Sequence, residues 1–102
     1  MKKFFRSILG PSLEAKAEVE IMYFGRVSDA LMMTSERIEI SIEENKLEKL
    51  LHRLRQRGDR WAYELDDSHV FCSINSKKAL LSDNIMIGDE IGIFSRKPMF
   101  EM

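Results

Sequence analysis

Residues 45–58 read NKLEKLLHRLRQRG and predict the main helix of the chain. Four leucines recur in this stretch at the spacing i, i+3, i+4 and i+7, which places them on one face of an α-helix: Leu47, Leu50, Leu51 and Leu54. We expect Asn45 to cap the amino end, with Glu48 three residues on as in a capping box, and the helix to stop near Gly58. Other elements must then cover the leucine face.

Segments of alternating character on both sides of this helix predict β-strands, because every second residue of a half-buried strand faces the core. Before the helix they are EVEIMYF (18–24) and RIEISI (37–42), with a short helical turn expected over residues 30–33. After it they are VFCSI (70–74), the short KKALL (77–81) and IGIF (91–94). A turn is expected at Asn75-Ser76, and a positive φ at Gly88 in the connection before the last strand.

This order of elements predicts an α+β fold, the ubiquitin-like β-grasp, in which a mixed sheet of four to five strands wraps over one main helix. The leucine face is expected to meet the apolar residues of the strands: Val19, Ile21, Ile38, Ile40, Val70, Ile74, Ile91 and Ile93. We divide the chain into an N-terminal amphipathic extension (1–16), the β-grasp domain (17–96) and a C-terminal tail (97–102).

The extension differs from the rest of the chain in charge. Lys2, Lys3, Arg6 and Lys16 against Glu14 give residues 1–16 a charge of +3, and since the whole chain carries -1, the remainder carries -4. Phe4, Phe5, Ile8 and Leu9 would share one helical face before Gly10-Pro11 breaks the pattern. Three interpretations stay open: docking on the protein's own core or a dimer partner, a mobile arm, or a membrane-surface anchor. It does not resemble a signal peptide, and no apolar run is long enough to predict a transmembrane segment.

Composition argues against several classes of function. A net charge of -1 and a pI near 6.1 lack the basic field of nucleic-acid binders. The lone Cys72 is expected to point inward as a small core residue, and His52 and His69 are expected to face solvent. The basic face of the helix could meet phosphate or an acidic partner, although a solvated face is the favoured interpretation. The pattern contains no catalytic motif and predicts no enzyme, cofactor or metal.

Three further segments carry a family resemblance. They are Asp59-Arg60-Trp61-Ala62, the strand ending Ile74-Asn75, and the stretch from Ile87 to Phe94, IGDEIGIF. With the first strand, VEIMYFGRV (19–27), they resemble the small subunit of molybdopterin synthase, a MoaD/ThiS-type ubiquitin-like sulfur carrier. The resemblance covers about residues 17–96 and implies the β-grasp fold.

The resemblance also implies a C-terminal Gly-Gly that an activating enzyme adenylates and a sulfur donor converts to a thiocarboxylate. This chain has Met99-Phe100 at about that place, and its five glycines (10, 25, 58, 88 and 92) are all isolated. Since a narrow active site around the reacting carboxylate favours glycine, which has no Cβ, we expect that the chain is not itself a thiocarboxylate carrier. A functional sulfur carrier with an atypical C-terminus remains the alternative.

The resemblance also implies that the chain binds a protein partner. In the family an apolar patch on the outer face of the sheet contacts the activating enzyme and the large synthase subunit. Here Phe24 and Phe94 match patch positions, with Met22 and Phe71 on the same side, although Lys78 falls near another patch position. The expected partner-binding residues are Met22, Phe24, Phe71, Phe94, Arg96, Met99 and Phe100.

We therefore expect a cytoplasmic protein-binding module linked to molybdenum cofactor (molybdopterin) biosynthesis or related sulfur transfer. Its partner would be a molybdopterin synthase large subunit or an activating enzyme. Two alternatives stay open for the aromatic face: it could be covered by the N-terminal extension, or it could form a homodimer, which would make the chain a self-associating structural or regulatory domain.

Overall fold

The computed structural model describes residues 17–96, which form five strands and three α-helices. The predictions for residues 1–16 and 97–102 therefore lie outside the described residues. The elements in chain order are β1 (Glu18–Phe24), α1 (Arg26–Leu31), β2 (Ser35–Glu39), a 3₁₀ turn (Ile42–Glu44), α2 (Leu47–Arg55), α3 (Asp59–Glu64), β3 (Val70–Ile74), β4 (Lys77–Ala79) and β5 (Glu90–Ser95).

The five strands form one mixed sheet in the order β2-β1-β5-β3-β4. β1 and β5 run parallel at its centre, and all other neighbours are antiparallel. The first and last strands of the domain are therefore adjacent, with the helices in the connection between them. This arrangement confirms the predicted α+β, ubiquitin-like β-grasp fold.

The inner face of the sheet packs against α2, as the two periodicities predicted. All four leucines of α2 are fully buried, and they share one apolar core with the inward residues of the strands. The core contains Val19, Ile21, Tyr23, Ile38, Ile40, Val70, Cys72, Ile91 and Ile93, with Ile74 partly buried at its edge. At about 25 cal/mol per Å² of apolar surface removed from water, this core is the main stabilising term of the fold.

The start of α2 differs from the prediction. The N-cap position is Lys46 rather than Asn45, and the cap has no side-chain hydrogen bond. The first amides of the helix are satisfied by the loop before β5 instead: Leu47 N donates to Asp83 O (3.0 Å) and Glu48 N to Leu81 O (2.9 Å). Because carbonyls distant in sequence supply these acceptors, no capping side chain is needed.

Two other local predictions were wrong in position. A helical turn was expected over residues 30–33, but the structure has helix α1 over Arg26–Leu31 instead. This helix begins after Gly25, at φ 67°, and buries Val27 and Leu31 one turn apart. The second strand was expected to continue to residue 42, but it ends at Glu39, and Ile42 starts the 3₁₀ turn. A capping hydrogen bond, Ser41 N to Glu44 Oε1 at 3.2 Å, holds that turn.

Helix α3 was not predicted at all, although its residues belong to the segment that carries the family resemblance. It follows Gly58 and turns Glu64 inward, where that side chain is 7% exposed and its carboxylate lies 3.5 Å from Arg26 Nε of α1. Trp61 packs edge-on against Tyr23 of β1.

None of the helices within residues 17–96 has the length and apolar character needed to cross a bilayer.

Candidate functional site

The outer face of the sheet carries a row of three stacked phenylalanine rings. Strand register puts Phe24 of β1 opposite Phe94 of β5, and Phe94 opposite Phe71 of β3. The Phe24 and Phe94 ring centroids are 4.5 Å apart with planes 11° from parallel, and those of Phe71 and Phe94 are 5.0 Å apart at 7°. Phe24 is 40% exposed, so the row is accessible at the surface of the described residues.

Gly92 makes room for the ring of Phe94, the central ring of the row. A Cβ on Gly92 would lie 2.9 Å from Cε1 of Phe94 and 2.5 Å from Oγ of Ser73, closer than such atoms can approach. The ring of Phe94 therefore lies over a position that only glycine leaves open. Met22 pairs with Gly92 from the other side in β1, so it completes the apolar surface beside the rings.

A shallow cavity of about 300 Å³ lies along this row. Its lining is mainly apolar and aromatic, with Ser73 on the floor and the other polar residues at the margins: Met22, Phe24, Phe71, Ser73, Ser76, Lys78, Glu90, Gly92 and Phe94. We name the apolar part of it, residues Met22, Phe24, Phe71 and Phe94, the aromatic face.

Two cations border the Phe71 end of the aromatic face. Lys78 Nζ and Arg96 Cζ each lie 5.9 Å from the Phe71 ring centroid, at the limit of a cation–π contact. The Arg96 guanidinium is held there because its Nε donates to Val70 O at 2.9 Å. A partner surface that fits this end would carry acceptors or acidic groups beside its apolar centre.

The loop before β5 is fixed by side-chain hydrogen bonds. Asn75, in a left-handed turn at φ 53°, donates from Nδ2 to Asp89 Oδ1 and accepts from Glu90 N, both at 2.9 Å. Asp89 Oδ2 also accepts from Met86 N at 2.7 Å, and Gly88 has the predicted positive φ, 89°. These contacts link the β3–β4 turn to the start of β5 and so set the register that aligns the phenylalanines.

Beneath the aromatic face, Tyr23 belongs to a polar cluster on the inner side. Its hydroxyl donates to Glu36 Oε2 at 2.6 Å, and Arg57 donates to both Glu36 oxygens at 2.8 and 3.0 Å. Burial, followed by the bond to Glu36, raises the pKa of Tyr23 well above its ordinary value. Burial alone would raise the pKa of Glu36, but the hydrogen bonds from Arg57 and Tyr23 outweigh it and lower that pKa. The cluster links β1, β2 and the residues just after α2.

Three of the six basic residues on and just after α2 are engaged in ion pairs. Arg53 Nη1 lies 2.8 Å from Glu44 Oε1, Arg57 binds Glu36, and Arg55 pairs with Asp67. Three of the cations that could have met phosphate therefore have acidic partners within the domain, which leaves fewer of them available to an external anion.

Reactive chemistry is scarce in the described part of the chain. Cys72 is 3% exposed, as predicted, and burial raises the pKa of its thiol to about 12, which keeps it protonated and unreactive. Within residues 17–96, His, Cys, Asp and Glu side chains nowhere gather in threes as metal ligands would. His52 is exposed, whereas His69 is half-buried with Nδ1 2.7 Å from Tyr63 O, so it faces solvent only in part.

The structure brings together four of the seven expected partner-binding residues: Met22, Phe24, Phe71 and Phe94. Arg96 lies at their edge, and Met99 and Phe100 lie outside the described residues. Sequence reasoning did not assign roles to Gly92 and Ser73, which shape the floor of the cavity. A glycine inside a strand was the available signal, because it often marks a close approach of another group.

Known structures share this architecture. A Pyrococcus furiosus protein, named for subunit 1 of the molybdopterin converting factor, superposes with a TM-score of 0.64 at 19% identity, over 78% of this chain and 97% of that one. SAMP1 of Haloferax volcanii gives a TM-score of 0.66 at 17% identity over 78% and 96%. The small archaeal modifier protein 1 of Methanosarcina acetivorans gives 0.62 at 18% over 86% and 99%. No family model and no curated protein matches the sequence. The structural likenesses establish the ubiquitin-like β-grasp fold.

Proposed function

We propose that this chain is a non-enzymatic, ubiquitin-like protein-binding module that docks on its partner through the aromatic face. The observation that carries the proposal is the stacked row of Phe24, Phe94 and Phe71 on the outer side of the sheet. Aromatic rings held rigidly in a row give a large apolar contact at little cost in side-chain entropy, which is typical of the centre of a protein interface.

The shape of the surface favours a protein over a small molecule as the ligand. The cavity of about 300 Å³ is at the lower end of the roughly 300–1,000 Å³ typical of small-molecule sites, and it is a shallow depression on a sheet. Apart from Ser73 on its floor, its polar groups are the exposed residues Ser76, Lys78 and Glu90, which lie around the rings. An apolar centre with a polar rim is the usual anatomy of a protein interface.

The partner we propose is a molybdopterin synthase large subunit or an activating enzyme, in the cytoplasm, within molybdenum cofactor biosynthesis or related sulfur transfer. Support comes from the name of the Pyrococcus furiosus structure and from the family resemblance of residues 17–96. The other neighbours are named as modifier proteins, so a second proposal within the same fold is a partner that handles protein modifiers.

We further propose that the chain is not itself a thiocarboxylate carrier. Residues 95–102 read SRKPMFEM, with Met99-Phe100 where the family has Gly-Gly. Incubating the purified chain with an activating enzyme, ATP and a sulfur donor, followed by mass spectrometry, tests this. A mass gain equal to the exchange of one oxygen for sulfur would establish the alternative, a sulfur carrier with an atypical terminus.

The binding proposal is tested by titrating the chain with a purified large subunit from the same source in a calorimeter. Phe24→Lys and Phe94→Lys are expected to weaken binding at least about 30-fold, because burying an unpaired ammonium in an apolar contact removes 2 kcal/mol or more. Met32→Lys is the matched control, since Met32 is also an exposed apolar residue (88%) and does not line the cavity along the aromatic face.

Each outcome of this titration is interpretable. Loss of binding in both phenylalanine variants, with unchanged unfolding curves and an unaffected control, supports the proposal. Wild-type affinity in the phenylalanine variants contradicts it. Sedimentation of the free chain addresses the self-associating alternative, because a concentration-dependent dimer that Phe24→Lys abolishes would show that the aromatic face binds a second copy instead.

A further inference from the structure

A second apolar groove, of about 280 Å³, lies at the opposite end of β1 from Phe24. It opens where β1 begins and where the chain leaves β2, and the loop before β5 forms its other wall. Two of its residues are large, apolar and exposed, Met86 (69%) and Ile87 (68%). The full lining is Ala17, Ile40, Ser41, Asn45, Ile85, Met86 and Ile87.

We propose that this groove is the docking site of the chain's own residues 1–16, whose apolar side chains Phe4, Phe5, Ile8 and Leu9 cover Met86 and Ile87. The occupant is a segment of the same molecule, and it leaves the aromatic face open. This inference does not rest on the proposed function, because it concerns a different surface and its test involves no partner.

The geometry of Ala17 supports this occupant. Ala17 is the residue that follows the extension, and it is itself part of the groove wall. Its carbonyl accepts a 2.7 Å hydrogen bond from Ile40 N, and the carbonyl of Glu18 accepts one from Gly88 N at 2.8 Å. The extension therefore departs from a fixed point at the edge of the groove, so that docking there closes only a short loop.

Reach alone does not decide between the two apolar surfaces. The eight Cα–Cα steps from Leu9 to Ala17 span at most about 29 Å when extended. Phe24 lies roughly 23 Å from Ala17 along β1, at about 3.3 Å per residue, so the extension could touch the aromatic face as well. The choice between the surfaces therefore depends on what else surrounds each of them.

The charges around the groove and around the aromatic face differ. The extension carries +3 and the remaining residues -4. Beside the groove, an adjoining hollow that shares Ile87 is lined by Glu18 and Glu20, with Arg37 as its one basic lining residue. Glu43 is exposed between two residues of the groove wall. The cavity along the aromatic face has one acidic lining residue, Glu90, and the face has two cations at its Phe71 end, so a basic segment is attracted to the groove and repelled from that end.

The size of the groove also fits a few side chains better than a separate ligand. A volume of about 280 Å³ is below the roughly 300–1,000 Å³ of typical small-molecule sites, and no charged residue is among its lining residues. Apolar side chains tethered at the groove edge need no such group for orientation, because the chain itself positions them.

Disulfide trapping in the full-length chain tests the proposal. One variant carries Leu9→Cys with Ile87→Cys, and the comparison variant carries Leu9→Cys with Lys78→Cys beside the aromatic face. Removing Lys78 also removes a cation that would repel the extension, so the comparison favours the competing surface. Cys72 is 3% exposed and does not interfere. Oxidised glutathione drives the reaction, and mass spectrometry without reductant follows it.

We expect an intrachain bond between positions 9 and 87 to form at least about tenfold faster than between 9 and 78, and the rate to fall to that lower value when Phe4, Phe5 and Ile8 are replaced by Ser. Faster bonding to position 78 would overturn the proposal in favour of the aromatic face. Dimers linked between chains would overturn it in favour of a second copy. A 9–87 rate that the serine replacements leave unchanged would show an undocked segment, whatever its ratio to the 9–78 rate.

Discussion

The hydroxyl of Tyr23 donates to Oε2 of Glu36 at 2.6 Å, which joins β1 to the edge strand β2 on the inner side of the sheet. Arg57 closes the same cluster from beyond α2, binding Glu36 through two hydrogen bonds and lying 4.5 Å over the Trp61 ring. A side chain on the core face of β1 thus depends on residues from three other segments. Removing its hydroxyl or its carboxylate partner should be measurable as a change in stability.

Tyr23→Phe is expected to lower the free energy of unfolding by about 1–3 kcal/mol at neutral pH, because a hydrogen bond to a charged acceptor is lost while the ring still fills its place. The variant should also remove an alkaline dependence. The folded pKa of Tyr23 is raised above its unfolded value of 10.0, so the contribution is complete below pH 10 and is lost as the pH rises further. Urea unfolding of both proteins across pH 8–11 measures the difference. If the unfolding free energies of the two proteins changed in parallel with pH, the hydrogen bond from Tyr23 to Glu36 would not contribute as described.

Glu36→Gln should change the pH dependence of the unfolding free energy at acidic rather than alkaline pH. The folded pKa of Glu36 is lowered from 4.5, so its ionised form contributes stability above that pH, and the contribution disappears as the pH falls through the folded value. We expect the unfolding free energy of the wild type to fall more steeply than that of Glu36→Gln below pH 4.5. Identical slopes in this range would show that the hydrogen bonds from Arg57 and Tyr23 do not lower the pKa of the Glu36 carboxylate.

Leu50→Ala tests whether α2 is the helix on which the sheet closes. Leu50 is fully buried, and its truncation should cost about 2–5 kcal/mol through lost transfer energy and the cavity that remains. Lys49→Ala is the matched control, since the adjacent side chain is exposed and its removal should change stability by about 0.5 kcal/mol or less. Comparable losses in the two variants, measured by urea unfolding, would be inconsistent with the core described above.

The elements that sequence reasoning placed well are those whose pattern is local. The leucine spacing of α2 and the alternation of β1 and β3 follow from helix and strand geometry alone, and the structure agrees with them. The phenylalanines fell on one face for the same reason, since Phe24, Phe71 and Phe94 lie on the solvent side of that alternation. Their stacking in one row, however, depends on the pairing of three strands, which no single segment contains.

What sequence reasoning misplaced is set by distant contacts. Helix α2 begins after Lys46 because carbonyls of the loop before β5 accept its first amides, while Asn45 O is occupied by Ile85 N at 2.9 Å. Helix α3 was missed because its one buried residue is Glu64, which a pattern of apolar residues does not count. The Arg26 guanidinium lies beside that carboxylate. In both cases a partner far away in the sequence replaced the local signal.

Gly92→Ala tests the constraint that shapes the aromatic face. In a strand interior alanine is normally favoured over glycine by roughly 0.5–1 kcal/mol, so a loss of stability must come from new contacts. The added Cβ would meet Ser73 Oγ and the Phe94 ring, and we expect destabilisation by about 1–3 kcal/mol, together with a displaced Phe94 ring and weaker partner binding. Adding Ser73→Ala should restore part of the stability without returning the ring. Unfolding curves and the proton NMR shifts of Phe94 measure both effects; a stable Gly92→Ala with unchanged shifts would show that glycine is not required beneath the ring.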